Sequence, residues 1–282
     1  MYGILEGVTE WLPVSSTGHL ILLSELLTFE VTDRMSPALA AEYMALFEVV
    51  IQFGAMLAVL VRFWHRLLPV GEMRHATVRR ETLTLWKHLL LASLPAALVG
   101  FGADRLLETL TGKGIDGHLF RPSVVAAALI GYGILFLLPL GARQAKGDLS
   151  PRDAFGVGCA QTLALIPGTS RSGSILLGAR LLGIDPARAA EFSFLLGLPA
   201  IGGASLLQGV DFAGFLIETG ESLPLFALLL LLLSFTVAFL VSLPVMDFLI
   251  SFVKRHGLAP FGIYRIALGG VILLATLVFQ IL

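Results

Sequence analysis

The chain has 282 residues, of which 56% are apolar and 14% are charged, with a net charge of −1 and a mean hydropathy of +0.89. Soluble domains carry about 25% charged residues, so this composition predicts a multi-span membrane protein. The near-zero net charge excludes a global basic field for nucleic acid, and the single cysteine excludes an internal disulfide framework. The N-terminus has no basic region before its first acid, so a cleavable signal peptide is not expected.

Two kinds of apolar segment follow one another along the chain. In chain order, the pattern predicts an interrupted segment at 3–28, membrane spans at 44–63, 87–104 and 122–142, a second interrupted segment at 154–183, and spans at 190–210, 223–247 and 261–282. Each span supplies roughly the 20 mostly apolar residues that a transmembrane helix needs.

The interrupted segments contain polar strings that a lipid-facing helix would not tolerate. The first holds Glu6, Glu10 and His19, and the second holds Arg171 within a Gly- and Ser-rich turn. Broken helices at membrane depth occur only where protein encloses them. We therefore predict an all-α integral membrane fold with six transmembrane helices and two re-entrant helical hairpins, each of which enters and leaves on one side.

The basic residues of the loops alternate as this arrangement requires. Segments 62–87, 143–190 and 247–260 hold thirteen Lys and Arg, leaving aside Arg171, whereas the intervening loops hold four. The positive-inside rule then places the basic segments in the cytoplasm and both termini outside. Counting either hairpin as a full crossing would destroy the alternation.

The two interrupted segments also resemble each other. Residues 11–17 (WLPVSST) align with residues 165–171 (LIPGTSR). We therefore predict a single membrane domain of two halves, about 1–142 and 143–282, each with one hairpin and three spans. Three crossings per half give the halves opposite orientations, a build typical of transporters. Chance similarity within an apolar sequence is the alternative.

Glu6 and Glu10 are spaced four residues apart, so on a helix their carboxylates lie on one face. Two such acids repel unless a shared proton or a cation lies between them. A hard divalent cation, Mg²⁺ or Ca²⁺, takes oxygen ligands of this kind. A structural role for one of the two acids, as a cap or in an ion pair, is the alternative.

Three hydroxyl side chains follow a proline, and a histidine lies close to them in sequence. Ser15, Ser16 and Thr17 would stand at the start of a helix, where backbone N–H groups can hold an anion. His19 follows Ser16 by three residues and is a candidate general base for that hydroxyl. Turn serines beside a capping histidine are the alternative.

Arg171 is flanked by hydroxyl side chains in a Gly-rich turn. Arg binds phosphate through two parallel hydrogen bonds, and turn amides add further donors. An ion pair with Glu48 or Glu191 is the alternative. A carboxylate pair, a hydroxyl–imidazole pair and an arginine together suit the hydrolysis of a phosphate or diphosphate ester. A site inside the membrane implies a lipid-borne substrate.

Both polar strings resemble the signature motifs of a known family. Residues 6–19 (EGVTEWLPVSSTGH) and 167–173 (PGTSRSG) are similar to those of the undecaprenyl-diphosphate phosphatases, the bacitracin-resistance family. The resemblance implies a hydrolase of the bacterial inner membrane whose active site opens to the outer, periplasmic face. It would convert undecaprenyl diphosphate to undecaprenyl phosphate and inorganic phosphate, which recycles the carrier lipid for peptidoglycan synthesis and confers bacitracin resistance.

The resemblance also implies the roles of individual residues. Catalysis would fall to Glu6, Glu10, Ser16, His19 and Arg171, and the first two would also hold the divalent cation, Mg²⁺ or Ca²⁺. The candidate substrate-binding residues are Ser15, Thr17, Gly168, Thr169, Ser170, Ser172 and Gly173. Whether Ser16 becomes phosphorylated or a water molecule attacks directly is left open.

Two features depart from the family pattern, and other functions compete with it. Position 175 is Ile where the family commonly has Thr, and the chain begins closer to its first acid than is usual. A polyprenyl-phosphate flippase or transporter of the same inverted-repeat build is the main alternative, and an anion channel is another. The expected partners are the lipid substrate and the bilayer, without nucleic acid, and the sequence is compatible with a homodimer.

Overall fold

The structure, a computed structural model, describes residues 1–26, 32, 35–70, 75–140 and 149–279, and this part of the chain is all-helical. The helices in chain order are α1 (Tyr2–Thr9), α2 (Ser16–Leu26), α3 (Pro37–Arg62), α4 (Trp64–Leu67), α5 (Ala76–Thr111), α6 (Ile115–Leu119), α7 (Pro122–Leu137), α8 (Pro151–Gln161), α9 (Arg171–Leu181), α10 (Pro186–Thr219), α11 (Leu225–His256) and α12 (Ala259–Leu274). A 3₁₀ turn (Thr162–Leu165) follows α8, and a π-helical turn (Ala275–Phe279) continues α12.

Five of these helices, α3, α5, α10, α11 and α12 with its π-helical turn, are long and apolar enough to cross a membrane. Helix α7 is equally apolar but has only 16 residues. The outer surface of α11 presents Leu229, Leu232 and Leu240, each more than half exposed, as expected for a lipid-facing helix. The protein is therefore a multi-pass membrane protein, as the composition predicts.

Each predicted span overlaps a helix, but the helix boundaries differ from the predicted ones. The predicted span 44–63 begins earlier, at Pro37, because the Ser36 hydroxyl accepts the Leu39 N–H and caps the helix. The predicted span 122–142 ends as a helix at Leu137, and residues 141–148 lie outside the described part. Hydropathy detects the apolar centre of a helix, whereas capping residues decide where the helix starts.

Each interrupted segment forms two short helices joined by a polar loop. The first pair is α1 and α2, and the last two residues of the predicted segment, 27 and 28, lie outside the described residues. The second pair is α8 and α9. In both loops a serine with left-handed backbone precedes the second helix, Ser15 at φ 72° and Ser170 at φ 69°. Such a conformation costs a non-glycine residue about 1–3 kcal/mol, so the surrounding contacts must hold it in place.

Close backbone contacts fix α1 in the molecule. Helix α1 packs against α11, and a Cβ atom at Gly3 or Gly7 would overlap the α11 backbone at Ser234 or Ala238. The loop that follows α1 is anchored by Trp11, which is fully buried with its ring edge-on to Phe194 at 5.3 Å between centroids. The helix and the loop that carry the first polar string are therefore firmly positioned.

Candidate active site

The loop between α1 and α2 and the loop between α8 and α9 meet and line a polar cavity of about 200 Å³. The first loop contributes Glu10 and Ser16, the second contributes Arg171, and α3 contributes Gln52. The residues lining this polar cavity are Thr9, Glu10, Ser15, Ser16, Thr17, Gln52, Ala164, Pro167, Gly168, Ser170, Arg171 and Ile201. The structure thus brings together polar strings that lie about half the chain apart in sequence.

Arg171, the first residue of α9, forms an ion pair across the cavity with Glu10. Its Nη2 lies 3.1 Å from Glu10 Oε1, and the two side chains are 15% and 10% exposed. None of the three guanidinium nitrogens makes a hydrogen bond of good geometry within the described part of the chain. Because a guanidinium carries five N–H donors, Arg171 keeps donors for an anion. Of the two alternative partners, Glu191 pairs instead with Arg66.

Space for the Arg171 side chain depends on a glycine of α10. A Cβ atom at Gly197 would overlap the Arg171 guanidinium. The lack of a side chain at this position therefore lets the guanidinium lie beside Glu10.

Glu6 and Glu10 form a buried pair of acids. Glu6 is fully buried, and neither of its carboxylate oxygens has a hydrogen-bond partner among the described residues. The Glu10 carboxyl group lies close to that of Glu6, and Glu10 lines the polar cavity together with Ser16. The i, i+4 prediction of a shared face therefore agrees with the geometry.

Carboxylate oxygens such as those of Glu6 and Glu10 are ligands that a hard divalent cation takes, and Glu10, but not Glu6, lines the polar cavity. No group of three or more His, Cys, Asp or Glu side chains that could hold a metal occurs in the described residues. Mg²⁺ is commonly held by one or two carboxylates together with substrate phosphates, rather than by a cage of protein ligands. The orphaned oxygens of Glu6 match that ligand chemistry.

His19 does not reach Ser16. Its Nδ1 lies 2.7 Å from the Ser15 carbonyl oxygen, and its Nε2 is hydrogen-bonded to the Tyr264 hydroxyl. A carbonyl oxygen only accepts, so Nδ1 carries a proton and donates it to the Ser15 carbonyl. Both ring nitrogens are therefore engaged, and the predicted hydroxyl–imidazole pair is not formed.

His19 faces a second cavity, of about 620 Å³, which has an almost wholly apolar lining. The residues lining this apolar cavity are Met1, Ile4, Leu5, Val8, Thr9, Leu12, Val14, His19, Leu23, Phe248, Pro260, Phe261 and Tyr264. Thr9 borders both cavities. A polar site therefore lies directly beside a space suited to an apolar chain.

The other predicted substrate-binding residues divide into two groups. Ser15, Thr17, Gly168 and Ser170 line the polar cavity, whereas Thr169, Ser172 and Gly173 do not line it and instead make hydrogen bonds within the second loop or, for Ser172, to the first loop. Thr169 donates to the Ile166 carbonyl (2.8 Å), Ser172 donates to the Leu12 carbonyl (3.1 Å), and the Gly173 N–H donates to Ser170 Oγ (3.2 Å).

The departure from the family pattern at position 175 has a structural explanation. Ile175 is fully buried in the hydrophobic core, away from the polar cavity. The neighbouring Ser174 hydroxyl donates to the Tyr132 hydroxyl at 3.2 Å. A hydroxyl side chain at position 175 would therefore not reach the site in this chain.

Three residues at or beside the site were not singled out by the sequence: Gln52, Tyr264 and Arg265. Arg265 is fully buried, and it is the single charged residue of the predicted span 261–282. A charge within a membrane helix marks a functional site by default, so this signal was present in the sequence. Gln52 and Tyr264 carry no comparable signal, because polar and aromatic residues are ordinary within a span.

Known proteins resemble this chain over nearly its whole length. Residues 1–271 match the family model of the bacitracin resistance protein BacA. An undecaprenyl-diphosphatase of Acetivibrio thermocellus is 40% identical over 279 residues, which cover 96% of this chain and 94% of that protein. Proteins of the same name from Enterococcus faecalis (38% over 283 residues, covering 97% and 94%) and Streptococcus sanguinis (41% over 280 residues, covering 97% and 93%) are similarly close.

Proposed function

This chain belongs to the bacitracin resistance protein BacA family, and we propose that it is an undecaprenyl-diphosphatase, the name of its relatives. It hydrolyses undecaprenyl diphosphate to undecaprenyl phosphate and inorganic phosphate, which recycles the carrier lipid for peptidoglycan synthesis and confers bacitracin resistance. The observation that carries this function is the cluster of Glu10, Ser16 and Arg171 in one polar cavity beside an apolar one. A flippase is not favoured, because the relatives are named as phosphatases.

We further propose that six helices cross the bilayer and that the two hairpins do not. Each half contains one hairpin and three longer helices, and the halves pack alike: α1 lies against α11 as α8 lies against α5. Each loop has a serine with positive φ directly before its second helix, Ser15 and Ser170, which supports an inverted repeat. With the loop charges, this arrangement gives a protein of the bacterial inner membrane whose site opens to the periplasmic face.

Substrate binding follows from the two cavities. The diphosphate lies in the polar cavity, where Arg171 donates to its oxygens. The isoprenoid chain lies in the apolar cavity beyond Thr9, where its burial provides binding free energy without polar contacts. The reacting phosphoryl group is thereby held beside Ser16.

Glu10 is the group placed to move a proton. It lines the polar cavity with Ser16 and accepts the proton of the attacking oxygen, whether that oxygen belongs to Ser16 or to a water molecule. The attacking oxygen forms a bond to the terminal phosphorus as the bond from that phosphorus to the bridging oxygen breaks, and undecaprenyl phosphate leaves. If Ser16 attacks, water then hydrolyses the phosphoserine and releases inorganic phosphate. Arg171 balances the negative charge that develops on the phosphoryl oxygens. His19 orients the start of α2 through the Ser15 carbonyl rather than by contacting Ser16.

We propose that a divalent cation, Mg²⁺ or Ca²⁺, acts at this site. Glu6 and Glu10 would hold it, since the buried oxygens of Glu6 have no hydrogen-bond partner among the described residues. When bound, the cation would neutralise charge on the diphosphate.

Phosphate release from undecaprenyl diphosphate by the purified protein in detergent tests the proposed function. We expect release that stops on addition of EDTA and resumes with excess Mg²⁺ or Ca²⁺. A monodisperse protein that releases no phosphate, but moves a labelled polyprenyl phosphate across vesicles, would establish the flippase instead.

Filling the apolar cavity should affect long substrates selectively. Val8 lines this cavity, and Val8→Trp should raise the KM for undecaprenyl diphosphate about tenfold by excluding part of the chain. The KM for farnesyl diphosphate, a much shorter isoprenoid, should change little. Steady-state kinetics with both substrates check this, and Ile217→Trp, at an exposed position of α10, is the matched control. An equal rise for both substrates would contradict the assignment of this cavity to the chain.

A methyl group at Gly197 should displace Arg171. Because the added Cβ overlaps the guanidinium, Gly197→Ala should lower kcat about 10- to 100-fold, the effect of moving a site group by about 1 Å. Gly202→Ala on the same helix is the control, since a Cβ atom there meets nothing within 4 Å. Phosphate-release assays on both variants, at equal thermal stability, measure the difference. If Gly197→Ala and Gly202→Ala have equal kcat values, the prediction that displacement of Arg171 slows the reaction is wrong.

A further inference from the structure

Arg265 is a cation that lies buried within an apolar helix, which is rare in membrane proteins. It is fully buried on α12, and no carboxylate in the described part of the chain forms an ion pair with it. A buried charge without a counter-ion is costly in a membrane, so the residue must gain its stabilisation elsewhere.

The guanidinium binds backbone carbonyl groups of both hairpin loops. Nη1 donates to the Pro13 carbonyl at 3.0 Å, and Nη2 donates to the Gly168 and Thr169 carbonyls at 2.7 and 2.9 Å. The aromatic rings of Tyr132 and Phe136 on α7 each lie 5.4 Å from Cζ and add cation–π attraction. One side chain therefore joins two loops that come from opposite halves of the sequence.

These carbonyl groups stand just before the reactive residues. Pro13 lies two residues before the left-handed Ser15, and Thr169 directly precedes the left-handed Ser170. The helices that begin next start with Ser16 and Arg171. Strained backbone persists only where neighbouring groups hold it, and Arg265 supplies such contacts to both loops at once.

We infer that Arg265 is a positioning residue that locks the two loops in the register in which Ser16 and Arg171 face the same phosphoryl group. The planar fork of a guanidinium can reach both loops, whereas the ammonium of lysine offers one point of attachment. This inference relies on the proposed function for its kinetic readout, but the locking of the loops does not.

Kinetics of the full-length protein in detergent give the first test, with the variants Arg265→Gln and Arg265→Lys. Because displacement of a site group by about 1 Å can cost 100-fold, we expect kcat to fall about 100-fold. The KM for undecaprenyl diphosphate should change less than kcat, since the apolar cavity that binds the isoprenoid chain is retained. Arg180→Gln on α9 is the matched control, because Arg180 also donates to a carbonyl group, that of Phe136, but outside the loops. Folded Arg265 variants with the wild-type kcat overturn the inference.

Hydrogen–deuterium exchange gives a second readout that needs no substrate. Amides of residues 11–18 and 165–173 should exchange faster in both Arg265 variants and at the wild-type rate in Arg180→Gln. Acceleration in only one loop, or in neither, overturns the inference. Fast exchange of both loops in the wild-type protein also overturns it, so the test stands even if the variants do not fold. If the wild-type protein releases no phosphate but both loops exchange faster in the Arg265 variants, the proposed function is refuted and the locking role is retained.

Discussion

Replacing Glu10 by Gln should lower kcat for phosphate release about 1,000-fold. The carboxylate shares the polar cavity with Ser16 and lies 3.1 Å from Arg171, and the amide can neither accept the proton nor balance the guanidinium charge. General bases contribute about 10²- to 10⁴-fold to enzymatic rates, which sets this expectation. Steady-state release of inorganic phosphate from undecaprenyl diphosphate measures it.

The control for this variant is Glu218→Gln, which makes the same chemical change at the exposed end of α10. It should keep the wild-type rate. If raising the Mg²⁺ concentration restores Glu10→Gln to within tenfold of the wild type, Glu10 is a metal ligand only, and its role as base is refuted.

Replacing Arg171 by Ala should abolish measurable release, with a loss of about 1,000-fold or more. Arginines that balance phosphoryl charge in the transition state contribute about 10³- to 10⁵-fold. Arg171→Lys should recover only part of the loss, because lysine keeps the charge but not the two-pronged geometry. Both kcat and KM should be measured, since Arg171 contacts bound substrate as well as the transition state.

Arg180→Lys on the same helix serves as the matched control for Arg171→Lys. Arg180 makes a single hydrogen bond, to the Phe136 carbonyl, and does not line the polar cavity. The phosphate-release activity of Arg180→Lys should be close to that of the wild type. A full recovery of kcat in Arg171→Lys would show that charge alone is needed at position 171.

Much of the helical architecture could be predicted, because an apolar run can face lipid as a continuous helix whereas a run of polar residues cannot. The run Ser15–Ser16–Thr17 cannot face hydrocarbon, so a break near it was required, and the structure has a loop there. The start of α3 could not be read from hydropathy, because the Ser36 cap is polar and lies outside the apolar window. The position at which such a helix starts is therefore determined by its capping residue and not by the limits of the apolar run.

Most residues of the site could be predicted from the sequence, but not all of the contacts between them. Spacing along one helix placed Glu6 beside Glu10, since such neighbours follow from helix geometry alone. The same reasoning paired His19 with Ser16, and there it failed, because Tyr264 and the Ser15 carbonyl take both ring nitrogens. Tyr264 lies 245 residues from His19 along the chain, and periodicity holds no information on such contacts.

The glycine face of α1 has a consequence for how the acidic pair is held. Between helices in a bilayer, the hydrophobic effect contributes little, because lipid tails are as apolar as leucine side chains. Gly3 and Gly7 let α1 lie directly on the backbone of α11, so the attraction comes from close steric fit. The positions of Glu6 and Glu10 therefore depend on the steric fit between the backbones of α1 and α11. One carbon atom added at this contact disturbs the fit more than any change in the hydrophobicity of the helix does.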